Sequence, residues 1–177
     1  NDVARIGFDG SGDYLTLTDK TAGNGLHAAS GKAFTVVIAF RITSSGTLLA
    51  RAVTSGGDRT FSIFNIDELA VTLNGTTSKL GVAPTAVSVL TLRCDGATPP
   101  VVQAYLNDEA VDTLSVGSAT ENTGQEIHVA SRTDGAFLFD SGEIGRLYIA
   151  PSALTVSDIN SIMNGLSTLY DLGWTRS

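Results

Sequence analysis

The sequence holds one cysteine, two histidines and one tryptophan, and only 16% of its 177 residues are charged. With Cys94 alone, no internal disulfide can form, and the strand-like run Val89 to Arg93 before it predicts a small buried hydrophobe. The missing disulfide fits a particle assembled in the cytosol or a bacterial secreted protein. Acidic residues outnumber basic ones by 18 to 11, a net charge of -7. That balance argues against phosphate-backbone binding, which needs clustered cations to release counterions, so no nucleic-acid partner is expected. No apolar run approaches the roughly 20 residues of a membrane helix, and no signal-peptide pattern opens the chain, so no membrane insertion is expected. Asn1 rather than Met stands first, as in a processed product or an excised piece.

What the chain does hold is 42% hydrophobic residues and 19 glycines, the profile of strands joined by tight turns. Period-2 alternation recurs in short blocks. It predicts strands over Ala4 to Phe8, Asp13 to Leu17, Phe34 to Ile42, Thr47 to Ala52, Thr60 to Phe64, Glu68 to Asn74, Val87 to Cys94, Val101 to Leu106, Ala110 to Val116, Glu126 to Ala130 and Glu143 to Ala150. Phe34 to Ile42 is nearly continuous in apolar character, as in a central strand covered on both faces. Glu68 to Asn74 and Glu126 to Ala130 alternate, which places them on outer layers or edges. Asp9-Gly10, Asn74-Gly75, Asp95-Gly96 and Asp134-Gly135 supply turns, because each sets a residue tolerant of positive φ beside one with no Cβ. Asn74-Gly75-Thr76 also matches a glycosylation sequon, which a hairpin turn explains more simply.

One helix is signalled near the C-terminus. Thr155 and Asp158 stand as a capping box, with Ile159, Ile162, Met163 and Leu166 forming an apolar stripe and Gly165 near the last turn. No repeat or linker divides the chain, so residues 1–177 read as one all-β domain, a two-sheet antiparallel sandwich with one short helix.

Four segments, in order, carry a family resemblance: Phe8-Asp-Gly-Ser-Gly-Asp-Tyr-Leu15, then Phe34 to Phe40 leading to Gly46-Thr-Leu-Leu-Ala-Arg51, then Val102-Gln-Ala-Tyr-Leu-Asn107, and last Gly142-Glu-Ile-Gly-Arg-Leu-Tyr-Ile149 followed by Ala153 to Ile159. Together they resemble the laminin-G-like branch of the concanavalin A-like lectin and glucanase superfamily. The resemblance implies a curved jelly-roll sandwich and a lectin-like display role on a phage virion or bacterial surface, so the expected location is a virion surface or extracellular. The partners it implies are glycans or other virion and surface proteins, with a homo-oligomer as a further expectation.

Because the superfamily includes hydrolases, the carboxylates bear directly on function. Retaining hydrolysis needs two carboxyl groups about 5 Å apart, which one strand supplies at alternate positions. A Glu-x-Asp-x-Glu signature is absent; Asp67-Glu68 would point to opposite faces, and Asp140 and Glu143 straddle a loop and a strand. His27 reads as a loop residue and His128 as a surface strand position, neither with catalytic neighbours. No enzyme activity and no cofactor are therefore expected. Calcium is the candidate ion, with Asp58 and Asp140 the candidate ligands among the loop carboxylates Asp58, Asp67, Asp134 and Asp140. For a glycan, Tyr170 and Trp174 are the candidate binding aromatics, since Tyr105 and Tyr148 lie inside strand patterns. Their tail either packs back on the sandwich or contacts a neighbouring chain; packing is favoured because exposed Trp is costly without a partner.

Overall fold

The computed structural model describes residues 4–11, 14–17, 26–52, 59–118, 126–131 and 141–176. Among these, twelve strands form two six-stranded sheets, with every pairing antiparallel. The first sheet runs, in spatial order, β1 (Ile6–Phe8), β12 (Gly142–Ala150), β3 (Phe34–Ile42), β8 (Ser88–Cys94), β9 (Val102–Leu106) and β10 (Glu109–Leu114). The second runs β2 (Leu15–Leu17), β11 (Ile127–Val129), β4 (Gly46–Ala52), β5 (Arg59–Ile66), β6 (Glu68–Leu73) and β7 (Thr76–Lys79). Crossovers join β1 to β12, β12 to β3 and β3 to β8 in one sheet and β2 to β11 and β11 to β4 in the other, while β8 to β10 and β4 to β7 run as consecutive neighbours, an all-β jelly-roll sandwich.

Alternation explains the core. Val36, Ile38 and Phe40 of β3 and Leu90 and Leu92 of β8 face Phe61 and Ile63 of β5 and Leu69, Val71 and Leu73 of β6 in one buried cluster. Phe34 and Phe61 meet edge to face across it, ring centroids 5.9 Å apart. Central β3 is buried along its length except at Arg41, as its apolar run predicts. Cys94 lies in the same core, where its Sγ donates to the Lys32 carbonyl and burial pushes its thiol above the ordinary range.

Three expectations need correction. Thr76–Lys79, which no predicted strand covers, is the edge strand β7; Asn74 (φ 49°) and Gly75 (φ 84°) close its hairpin to β6. The positions next to Gly matter here because both turn residues take positive φ. Strands β6 and β11 are interior, each with a neighbour on both sides, and not edges. Their alternation misleads because their outward residues are short or stacked: Thr72 is buried, and His128 is buried with Tyr14 stacked on it at 5.6 Å. The helix α1 (Val156–Tyr170) continues past Gly165, which faces open space, and ends at Asp171 in the left-handed region (φ 54°). The sequon is also closed to a glycan by packing, since the Asn74 side chain is buried and its amide donates to the Ala28 carbonyl at 2.6 Å.

Helix α1 lies on the outer face of the first sheet. Thr155 accepts from the Asp158 amide at 3.1 Å and Asp158 reaches back to the Thr155 amide at 3.3 Å, so the expected capping box is formed. Ile159, Met163 and Leu166 then pack on Val37, Ala39, Val89 and Tyr105, which makes a second, smaller core.

Candidate functional site

The C-terminal end of α1 and the strands β1, β12 and β3 build the site. Its geometry depends on an irregularity in β12. Strict alternation would put Glu143, Gly145 and Leu147 on one face, but the register slips between Ile144 and Arg146: Glu143 pairs with Arg41, Ile144 with Phe40 and Arg146 with Ala39. Gly145 is the extra residue of a bulge. Ile144, Leu147 and Ile149 therefore all pack on the core, while Glu143, Arg146 and Tyr148 share the outer face with Arg41, Ala39 and Val37, their register partners.

Glu143 is the centre of this face. Arg5 donates to one of its oxygens at 2.6 Å and Arg41 to the other at 3.0 Å, which ties β1, β12 and β3 together. The Arg5 guanidinium also lies over the Tyr170 ring, 5.7 Å from its centroid. Tyr170 reaches the sheet because Gly145 has no side chain: a Cβ there would stand 1.9 Å from the Tyr170 hydroxyl. That hydroxyl is buried without a hydrogen-bond partner. Burial pushes it above the ordinary phenol range, while the Arg146 and Arg5 charges pull the other way. Tyr148 stands beside them, 45% exposed.

The tail folds back on its own chain. Ser167 donates to the Trp174 carbonyl at 2.6 Å, Asn164 and Arg176 exchange two hydrogen bonds of 3.0 and 2.7 Å, and the Arg176 guanidinium sits 4.4 Å from the Tyr105 ring centroid. Trp174 and Leu172 pack against the second core. Of the two aromatics singled out from sequence, Tyr170 thus borders the arginine surface and Trp174 packs beneath the tail. The structure adds Arg5, Arg146 and Tyr148. Alternation sets Arg146 and Tyr148 on one face, the bulge brings that face into phase with Glu143 and its partner Arg5, and Gly145 within a strand was the available signal.

Elsewhere, the outer face of the second sheet carries a transverse row, Thr16, His128, Ala50, Ser62, Thr72 and Thr77, in direct register across all six strands. Thr72 and Thr77 share a hydrogen bond of 2.8 Å, and the buried Ser62 hydroxyl has no partner. At the flank where β1 and β2 form the outer edges, an apolar groove of about 340 Å³ opens between the sheets, lined by Ile6, Phe8, Leu15, Leu17, Val129 and Leu147 among others. Asp67 occupies a turn at φ 66°, and Glu68 is paired with Lys79 at 3.1 Å, so the two do not form a facing carboxylate pair. His27 is a loop residue, as read from sequence, and is buried. Asp58, Asp134 and Asp140 lie outside the described residues. Among the described residues no group of three or more His, Cys, Asp or Glu could hold a metal, and no helix is long and apolar enough to cross a membrane.

No protein-family model and no curated protein sequence matches the chain. Solved structures do match in fold. A structure described as a receptor binding domain aligns with a TM-score of 0.64 at 18% identity, over 93% of this chain and 44% of that one. The binding domain of botulinum neurotoxin DC, solved in complex with rat synaptotagmin II, aligns at 0.62 and 19% identity over 92% and 42%. A heptameric SAP-like pentraxin from Limulus polyphemus aligns at 0.52 and 19% identity over 74% and 69%. This chain spans less than half the length of the receptor-binding chains. What it shares with all three is the antiparallel jelly-roll sandwich.

Proposed function

We propose that this chain is a non-catalytic glycan-recognition domain of the concanavalin A-like, laminin-G-like kind, displayed on a virion surface or extracellularly. The observation that carries the reading is the exposed Tyr148 ring beside Arg146 on an outer sheet face, with Tyr170 and Arg5 at its margin. Sugar recognition uses this combination of an aromatic face with fixed hydrogen-bond donors. The structural neighbours support a binding role: one is a receptor-binding domain, and another botulinum neurotoxin is described as entering cells through two ganglioside molecules. The Glu143 carboxylate is committed to two guanidiniums, which suits a structural anchor better than a proton donor. Calcium bound by Asp58 or Asp140 belongs to the same proposal. A glycan array probed with and without calcium tests it: reproducible hits support recognition, hits only with calcium support the ion, and silence in both conditions rejects the lectin reading.

A second reading, a structural assembly subunit with no small ligand, draws on the open flank, where Ile6 is 51%, Leu15 45% and Leu17 37% exposed. Edge strands with exposed apolar side chains invite pairing with another copy. The C-terminal tail does not serve that reading, since it packs on its own chain. Light scattering over a range of concentrations decides it, because a persistent monomer excludes obligate self-assembly.

A further inference from the structure

We infer that the arginine surface selects acidic saccharides, those bearing a carboxylate or sulfate, with Arg146 as the principal anion contact and the Tyr148 ring as the sugar platform. The inference rests on the glycan reading above and names its ligand class.

Charge distribution is the first ground. The chain carries a net charge of -7, yet this face gathers Arg5, Arg41 and Arg146 about Glu143 and Tyr170. Both Glu143 oxygens are already occupied by Arg5 and Arg41. Arg146 is exposed and makes no hydrogen bond or ion pair with any described residue. A guanidinium left free offers a planar fork that matches a carboxylate or sulfate in bidentate fashion.

Placement is the second ground. Arg146 and Tyr148 are two residues apart on one face of β12, so their Cα atoms lie about 7 Å apart. The fork and the ring can therefore engage neighbouring parts of one saccharide. Arg5 is held over Tyr170 and against Glu143, which keeps a second positive charge near Arg146 without neutralising it. Three guanidiniums on a strongly acidic protein are too few to track a polyanion, whose binding grows with the number of phosphates neutralised. The surface suits one or two anionic groups beside a sugar ring.

The test is a glycan array composed of matched pairs, each neutral glycan printed beside its sialylated, sulfated or uronate derivative, followed by calorimetry on the best pair. The intact chain is expected to favour the acidic member about tenfold or more, the size of one charged hydrogen bond. Arg146→Gln should abolish that preference, bringing the acidic member's affinity down to that of the neutral member in the same variant, with the melting temperature unchanged. Tyr148→Ala should weaken both members. Added salt should weaken only the acidic member. Equal binding of the two members, or a preference that survives Arg146→Gln, overturns acidic selection while leaving glycan recognition in place. Silence across the whole array overturns both.

Discussion

The two sheets bury their inner faces in one core but treat their outer faces differently. The first sheet's outer face is divided between a helix-covered half, where Val37, Ala39, Val89 and Tyr105 meet α1, and a charged half built on Arg5, Arg41, Glu143 and Arg146. The second sheet's outer face is a row of short side chains, Ala50, Ser62 and Thr72, with His128 under Tyr14 at one end. One face thus presents charge and the exposed Tyr148 ring, while the other holds short side chains that are buried at Ala50, Ser62 and Thr72. Alternation produces the second face, whereas the first also needs the bulge in β12, which brings Glu143 into phase with Arg146.

The strongest way to break this contrast is to damage what the faces share. Phe61→Ala empties the centre of the common core and should cost about 3–5 kcal/mol. Chemical denaturation should show one transition moved to lower denaturant. Two transitions would mean that the sheets unfold separately.

Two glycines then separate the sheets. At Gly117 a Cβ would stand 2.1 Å from the Asn74 carbonyl oxygen, a backbone atom at the hairpin of the second sheet, so Gly117→Ala should cost about 1–3 kcal/mol. At Gly145 the clash is with the tip of the Tyr170 side chain, which can swing aside. Gly145→Ala should therefore cost less, about 1 kcal/mol, and should displace Tyr170 from Arg5. Adding Tyr170→Ala should cause little further loss, because both changes remove the same contact. Equilibrium unfolding of the three variants checks the order.

Thr155→Ala removes the cap of α1 and should cost about 1 kcal/mol. Its effect belongs to the first face alone, and helical circular dichroism should fall with it. The smallest effects come from two buried hydroxyls without partners, Thr91 under α1 and Ser62 on the opposite face. Thr91→Val and Ser62→Ala each remove a desolvated group that bonds nothing, so each should be neutral or stabilising by up to about 1 kcal/mol. A loss above that in either melting curve would reveal a hydrogen bond at that face.

Eleven strands were legible because each is a short block with its own alternation or apolar run, bounded by turn residues. The missed strand β7, Thr76–Lys79, has no apolar residue, and pairing with β6 alone makes it a strand. The helix start was legible from Thr155 and Asp158, whose side chains act within one turn. Its end was misplaced because an exposed glycine can be carried through a helix when Leu166 and Tyr170 beyond it find a surface to pack on. His128 was misread because alternation places it outward, as found, but says nothing about the Tyr14 ring that covers it.

For the site, residue types suggested an aromatic platform, and Tyr170 does border the arginine surface. Arg146 and Tyr148 could not be placed from alternation alone, since strict period-2 counting puts Glu143 on the face opposite Arg146. A one-residue bulge reverses that phase.

What the sequence determined by itself is local: a sandwich in place of a helical fold, a chain without an internal disulfide, the turn at Asn74-Gly75, and the cap of α1. Each follows from propensities and side-chain reach over a few residues. What only the tertiary structure decided is which side chains meet: Arg5 and Arg41 on Glu143 across 138 and 102 residues of chain, and Tyr170 against Gly145. Such meetings depend on register and on the bulge in β12, and these are set by the packing of whole sheets, because a slip of one residue turns every side chain beyond it to the other face.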